Sequence, residues 1–502
     1  MNIINQLAER ATLHPERIAL IDSQRSISYS ELYQEVCHGS ELLLGSGLST
    51  GDCVLILEPI SINLYIHLLA VFHAGMTVML IDPSAGKAMM QNSLKLNQPD
   101  GFIGIPKAHL LRLAVKGIRQ IKHRFHTHGW VPFSKKWKHC PTSFQKANRP
   151  TPTQVTSDAP ALVTFTSGST GMPKAACRTH GFLIAQHTAL SKSLDFQEAE
   201  VDLITLPVFA IANLASGMTS VIADTDLRVP AEADSPAILQ QCKSYQVTRC
   251  AASPAFFLKL YQDQCLTHFK TIYTGGAPVF PHLLDAIQTD HPELKIITVY
   301  GSTEAEPISH IAWDEVTAND HEAMKSGKGL LVGKPVPEID VMIFQEIDDE
   351  MKPSVGQIAV TGEHVLKGYL NGVGDEETKI NHKGIIWHLT GDMGYFDKAG
   401  RLWLMGRESA VFEIDQRIIY PFSIECAVMH SPIVTRCAVI QYEGRNLLCI
   451  ESSTTEIEPI KSHFSEYNFL EFILLDSIPM DRRHNAKVDY PALNTILDQY
   501  QH

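Results

Sequence analysis

Apolar positions recur along this chain with two periods, and the two alternate. From Ser30 to Leu44 they fall at helical spacing, whereas Val54-Leu55-Ile56-Leu57 is a short unbroken run of the kind a buried strand shows. The longest apolar stretch, Leu64 to Ile81, is interrupted by His67, His73 and Gly75. It predicts a buried helix over Leu64–His73, a break at Gly75 and a strand over Thr77–Leu80, and it is a poor membrane span. Ile204-Thr205-Leu206, Ile296–Val299 and Ile358-Ala359-Val360 are further β-rich runs. The alternation predicts α/β layers, with the last runs in more antiparallel sheets. Between Tyr395 and Leu404, turn residues separate two aromatic runs, which predicts a hairpin. A domain boundary is expected just after it, giving an N-terminal core over residues 1–406 and a small C-terminal domain over 407–502.

The charge pattern adds one anomaly. The net charge of −13 gives no general attraction to nucleic acid, yet Pro106–Lys146 holds ten Lys/Arg and no Asp/Glu. Leu111, Val115, Ile118 and Phe125 lie near helical spacing there, with Arg112, Lys116, Arg119 and Lys122 between them. Two readings apply: an amphipathic helix against an anionic membrane or acidic partner, or a solvated helix packed on the core by its apolar stripe, the commoner outcome. His123, His126 and His128 lack the Cys or carboxylate company of a metal site. The composition, 44% apolar and 19% charged, is that of an ordinary globular protein. Ten scattered cysteines form no CxxC pair, which argues against a zinc site or a disulfide framework and fits a reducing compartment. The first residues lack a basic stretch followed by an apolar core, so no signal peptide is expected, and the expected location is the cytoplasm or the inner membrane surface.

The candidate chemistry begins at Thr166-Ser167-Gly168-Ser169-Thr170-Gly171-Met172-Pro173-Lys174. Ala161-Leu162-Val163 leads in and the helix-like Gly181–Ala185 follows, so strand, loop and helix are expected in turn. Small residues let backbone N–H groups approach phosphate oxygens, hydroxyls add donors and the lysine adds charge. The loop is not a Walker A motif, because Pro173 precedes Lys174. Tyr300-Gly301-Ser302-Thr303-Glu304 follows a predicted strand, where ligands bind in α/β sheets. Glu304 suits Mg²⁺; the plainer alternative is a helix start, with Thr303 as cap. Gly275-Gly276-Ala277-Pro278 is a strand-to-loop step able to pass a flat ring, or merely a turn. Asp392, between Gly391 and Gly394, could accept from both hydroxyls of a ribose, though an Asp in a Gly turn is usually structural. Lys487 alone would be a solvated charge.

In order along the chain, Thr166–Lys174, Tyr300–Glu304, Thr390–Asp392, Gly406-Arg407 and Lys487 resemble the adenylate-forming superfamily, which includes acyl-CoA synthetases, luciferases and peptide-synthetase adenylation domains. The resemblance runs from about residue 10 to Leu493. It implies a large multi-sheet N-terminal domain and a small mobile α+β C-terminal domain, with ATP and Mg²⁺ as cofactors. Carried over by position, Thr166, Ser167, Gly168, Ser169, Thr170, Gly171 and Lys174 hold the β- and γ-phosphates. Gly276, Ala277, Pro278 and Tyr300 line the adenine, with Gly301 and Ser302 beside it. Thr303 lies near the α-phosphate, Glu304 binds Mg²⁺, Asp392 and Arg407 hold the ribose, and Lys487 bridges α-phosphate and carboxylate.

Within the superfamily the chain resembles the β-lactone synthetases of long-chain olefin biosynthesis. The segments concerned are Phe209–Asn213, Gly217–Ile222, Asp224–Asp226, Arg228–Ala231, Ala305-Glu306-Pro307, His430-Ser431-Pro432, Arg483–Lys487 and the basic Pro106–Arg124 stretch. Some positions depart from the common pattern: Ala210 for a histidine, Ala175 and Ala486 for glycines, and Glu408-Ser409 at the hinge. Asp415-Gln416-Arg417 replaces the loop that usually offers a glycine beside coenzyme A, which weakens the case for that thiol. Three readings follow. The first is adenylation of a fatty or β-hydroxy fatty acid, probed by a long-chain acyl substrate, with closure to a β-lactone. The second is ligation to coenzyme A or an acyl carrier. The third, least favoured, is a degenerate adenylate-binding protein.

Overall fold

Ser28 starts the first long helix, Tyr29–Leu44, through a capping box: its hydroxyl accepts from Glu31 N and the Glu31 carboxylate accepts from Ser28 N. Ser61 caps Ile62–His73 by its hydroxyl alone, which accepts from Leu64 N, and eleven residues of that helix are buried, which is why its sequence is apolar all round. Gly75, at φ 69°, makes the turn into the strand Thr77–Leu80. The computed structural model describes residues 2–140, 150–167, 173–344, 355–452, 454, 456–480 and 488–500. Gly168–Met172 and Lys487 therefore lie outside the described residues.

The chain folds as two compact units, which it enters more than once. The first comprises Met1–Ala223, Thr303–Glu306 and Gly362–His388. The second comprises Asp224–Ser302, Pro307–Thr361 and Leu389–His502.

The first unit carries a seven-stranded sheet in the order Lys135–Lys136, His123–His126, Gly101–Gly104, Cys53–Leu57, Thr77–Leu80, Pro160–Ser167 and Pro173–Thr179. All its pairings are parallel except the last, an antiparallel hairpin. The central strands are apolar on both faces because helices cover both. Beside it, Val201–Ile204, Thr219–Ile222 and Ile18–Ile21 pair in parallel, and Ser26–Ser28 adds an antiparallel edge.

In the second unit, Arg249–Ala252, Thr271–Gly275 and Lys295–Ser302 are parallel. Antiparallel strands follow, including Leu330–Pro335, Leu402–Arg407 and the second-unit part of Ile385–Phe396. This is the predicted change from parallel to antiparallel pairing, and the hairpin at Tyr395–Leu404 is present, with Asp397–Arg401 as its turn. Toward the C-terminus, Val434–Tyr442, Arg445–Ser452 and Glu471–Leu475 form a three-stranded sheet. Val439, Leu448 and Ile450 face the helix Pro421–Val428, and Ala438, Leu447 and Cys449 face Tyr490–Leu497, the alternation a sheet covered on both sides requires.

The structure corrects four local expectations. The phosphate-type loop does not lead into a helix: Pro173–Thr179 is a second strand, paired antiparallel with Pro160–Ser167, and the helix His180–Ser193 comes only afterwards, capped by Thr179. Thr303 and Glu304 form a turn between Lys295–Ser302 and Ala305–Ala312, so no helix start exists there. The strand expected over Ile204–Leu206 is Val201–Ile204, because Pro207 begins a helix and keeps Leu206 extended before it. The single amphipathic helix over Leu111–Phe125 is instead Leu111–Ala114, Lys116–Gln120 and the strand His123–His126. Val115, Ile118 and Phe125 are buried as expected of core packing. None of the ten cysteines, all among the described residues, forms a disulfide, and eight of them are buried.

Candidate active site

The predicted residues fall into two groups, one in each unit. In the first, Thr166 pairs with Lys174 and Ser167 with Pro173 across the hairpin, so the loop is bracketed by a fixed register. Lys174 Nζ lies 2.8 Å from Glu377 Oε2 and 5.8 Å from the centre of the Tyr369 ring. Gly374, at φ 98°, passes against this lysine; a Cβ there would come within 2.7 Å of its side chain.

Glu304 is fixed at both ends. Its carbonyl accepts from Leu366 N at 2.8 Å, and its Oε1 accepts from the Tyr369 hydroxyl at 2.6 Å. Lys379 lies over the same Tyr369 ring at 5.4 Å and donates to the Leu366 carbonyl. Burial lowers the Lys379 pKa to about 8, against the pull of the Glu304 and Asp375 carboxylates. His388, opposite Lys379 in the Lys379–His382 hairpin, is held neutral chiefly by burial, then by Lys379, and donates from Nδ1 to the Thr378 carbonyl at 3.1 Å. Burial and Glu304 push the Tyr369 hydroxyl well above its ordinary range, so it remains a donor.

Arg178 ties the hairpin to the Glu304 turn. Nη1 donates to Thr164 Oγ1 at 3.0 Å and Nη2 to the Thr303 carbonyl at 2.8 Å. Nearby Glu306 has its pKa raised by burial to about 7, with Arg178 opposing. This corner thus offers the Glu304 carboxylate, oriented by Tyr369, with Lys379 and Arg178 nearby and with Lys174 ion-paired to Glu377. Among the described residues no three His, Cys, Asp or Glu side chains converge as a metal cage. A single carboxylate fits Mg²⁺, which commonly takes one or two protein carboxylates and shares substrate phosphates and waters.

In the second unit, Asp392 lies within the strand Ile385–Phe396, not in a free turn. Its Oδ2 accepts from the Tyr300 hydroxyl at 2.8 Å and its Oδ1 lies 3.2 Å from Arg407 Nε. Arg407 also donates to the Thr390 carbonyl at 3.1 Å, while the Thr390 hydroxyl accepts from Asp392 N and donates to the Ile358 carbonyl. Burial and Asp392 keep Tyr300 protonated. Gly301 and Ser302 end its strand. Gly275 packs so closely on the neighbouring strand that a Cβ would lie 2.2 Å from the Val299 carbonyl oxygen, and Gly276 turns the chain at φ 75° toward Ala277 and Pro278. Asp415 and Gln416 form the two-residue turn between Phe412–Ile414 and Arg417–Ile419, with φ 47° and 63°. Two successive left-handed residues make the primed turn that hairpins favour, here without glycine.

The structure thus brings Lys174 and Glu304 each against Tyr369, and Tyr300 together with Asp392 and Arg407. Sequence reasoning missed Tyr369, Arg178, Lys379 and His388. Their partners are remote in sequence, and Tyr369 stands 65 positions from Glu304. A Lys-Gly-Tyr triplet at 367–369 is too common a string to have singled it out.

Comparison with known proteins gives a consistent result. The family model for AMP-binding enzymes matches residues 7–370. An olefin β-lactone synthetase of Xanthomonas campestris pv. campestris is 29% identical over 92% of this chain and 89% of its own. A 2-succinylbenzoate–CoA ligase of Bacillus licheniformis is 26% identical over 87% of this chain and 86% of its own. The solved structure of an amide bond synthetase from Marinactinospora thermotolerans superposes with a TM-score of 0.81 at 18% identity, covering 99% of each chain. The chain therefore belongs to the AMP-binding enzymes, a family of AMP-forming, adenylate-generating ligases and synthetases.

Proposed function

We propose that this enzyme activates a long-chain β-hydroxy fatty acid to its acyl-adenylate and then closes it to a β-lactone. The observation that carries the first half is the Glu304 carboxylate, oriented by Tyr369, with Lys174 and Lys379 over the same Tyr369 ring. A carboxylate is a weak nucleophile toward an anionic phosphorus, so the step needs charge neutralisation and alignment more than a general base. In this reading Thr166–Lys174 grip the β- and γ-phosphates of ATP. Mg²⁺, held by Glu304, supplies charge neutralisation there. Gly276–Pro278 and Tyr300 receive the adenine, and Asp392 with Arg407 receives the ribose. A carboxylate oxygen of the acid bonds to the α-phosphorus, the α–β anhydride bond breaks, and pyrophosphate leaves. Residues 407–502 act as a mobile lid whose Lys487 bridges carboxylate and α-phosphate.

In the second half the β-hydroxyl oxygen bonds to the acyl carbon, the acyl–oxygen bond to AMP breaks, and the hydroxyl proton is released. Similarity to an olefin β-lactone synthetase supports this closure, as does the glycine-free Asp415-Gln416 turn where a thiol would need room. Transfer to coenzyme A is the second reading, favoured by the likeness to 2-succinylbenzoate–CoA ligase. Acid-dependent exchange of pyrophosphate into ATP tests the adenylation. Exchange should appear with long-chain 3-hydroxy acids and fall by orders of magnitude in Lys487→Ala while ATP still binds. An unchanged exchange rate in that variant would refute the lid assignment.

A further inference from the structure

The four most exposed large apolar side chains of the described residues all lie in the basic segment. They are Leu110, Leu113, Trp130 and Phe133, at 63%, 81%, 80% and 85% exposure. A short helix and a turn present them. The Leu111–Ala114 helix, with Leu110 just before it, and the Trp130–Phe133 turn are tied together where Arg112 Nη1 donates to the Pro132 carbonyl at 3.0 Å. The base beneath is rigid: Val115, Ile118 and Phe125 are buried, and Trp137 is buried edge-on against His67 and Phe125. Core packing therefore accounts for the segment's anchors and not for its protruding tips.

Phe133 is strained as well as exposed. Its φ is 56°, a region that a bulky side chain enters only at a cost and that Gly or Asn occupies readily. An aromatic residue that neither packs nor relaxes there points to something outside the molecule.

The surroundings are basic. Lys107, Lys116, Arg119, Lys122, Lys135 and Lys136 are exposed in the same segment, and no Asp or Glu occurs between Pro106 and Cys140. Glu35, which accepts from Cys140 N at 3.1 Å, marks the border. Lysines on the edge strand Lys135–Lys136 also deter strand pairing, but that role needs no apolar tips beside them.

We propose that this face docks on an anionic lipid bilayer. Leu113, Trp130 and Phe133 enter the interface between headgroups and acyl chains, and the lysines meet the headgroup phosphates. Convex apolar tips ringed by cations fit a fluid surface; a folded acidic partner would need a complementary hollow. No helix of the described residues is long and apolar enough to cross a membrane, so the contact is peripheral. The face lies at the opposite edge of the seven-stranded sheet from the Thr166–Lys174 hairpin, six strand spacings or about 29 Å away, so it can be altered without touching the nucleotide residues.

The test is sedimentation of the full chain with phosphatidylcholine vesicles, with and without about one-third phosphatidylglycerol, over a salt series. Binding should require the anionic lipid and weaken as salt rises. Lys135→Gln with Lys136→Gln should weaken it about 30-fold at low salt, since each basic residue near such a surface contributes roughly fivefold. Trp130→Ser with Phe133→Ser should weaken it more than about tenfold. Phe133→Asn is the sharpest variant, because it should lower vesicle affinity while raising the Tm by relieving the backbone. Pyrophosphate exchange should stay unchanged in every variant, which shows that each is folded. Binding that ignores anionic lipid, or that survives loss of the apolar tips, overturns the proposal. So does tight binding to polyglutamate with none to vesicles, which would identify an acidic protein partner instead.

Discussion

The Tyr369 hydroxyl donates to Glu304 Oε1 across 2.6 Å, so the carboxylate proposed to hold Mg²⁺ is aimed by a neighbour rather than left to rotate. A hydrogen bond to a charged acceptor contributes about 1.5–3 kcal/mol, enough to decide the orientation of a flexible glutamate. Tyr369→Phe should therefore raise the Mg²⁺ concentration giving half-maximal pyrophosphate exchange about tenfold. Calorimetric binding of Mg²⁺–ATP should weaken in parallel. Unchanged Mg²⁺ dependence would show that the contact positions nothing.

Lys379 should give nucleotide binding a pH dependence. Burial holds its pKa near 8 instead of the ordinary 10.5, so its charge is present at neutral pH and lost as pH rises through about 8. ATP affinity should fall through that range, and the step should be missing in Lys379→Met. The sign for stability is opposite. Between about 8 and 10.5 the folded chain binds fewer protons at this site than the unfolded chain, so this lysine's contribution grows more favourable with rising pH. A titration of ATP affinity that is the same in wild type and Lys379→Met would remove Lys379 from the account.

Glu306 predicts the reverse slope. Its folded pKa is raised from 4.5 to about 7, so the folded chain holds the proton more tightly than the unfolded chain between those values. Its contribution to stability is full below 4.5 and is lost as pH rises through 7. Glu306→Gln should remove that loss, leaving the variant more stable than wild type at pH 8 and nearly equal at pH 5 in urea unfolding. Parallel pH profiles for the two proteins would contradict the assignment.

How far the sequence discloses the molecule depends on the range of the interaction. The helix Ile62–His73 and the strand Thr77–Leu80 are legible because burial on all sides writes an unbroken apolar run and Gly75 punctuates it. The hairpin strand Pro173–Thr179 is hidden: it opens with a proline and continues through Lys174 and small residues, and only pairing with Pro160–Ser167 makes it a strand. The basic segment carries helical spacing, but the extended Val115, with φ −117° and ψ 110°, breaks it into short pieces. In the site, Glu304 and Asp392 are legible from their local motifs. Tyr369, Arg178 and Lys379, which aim or flank Glu304, act across long separations that no local string records.

The most direct measurement is product analysis after incubating the enzyme with ATP, Mg²⁺ and a long-chain 3-hydroxy acid, with and without coenzyme A. The account predicts equal amounts of pyrophosphate, AMP and β-lactone without any thiol. Pyrophosphate release with turnover that requires coenzyme A, or no pyrophosphate release with any such acid, would contradict it.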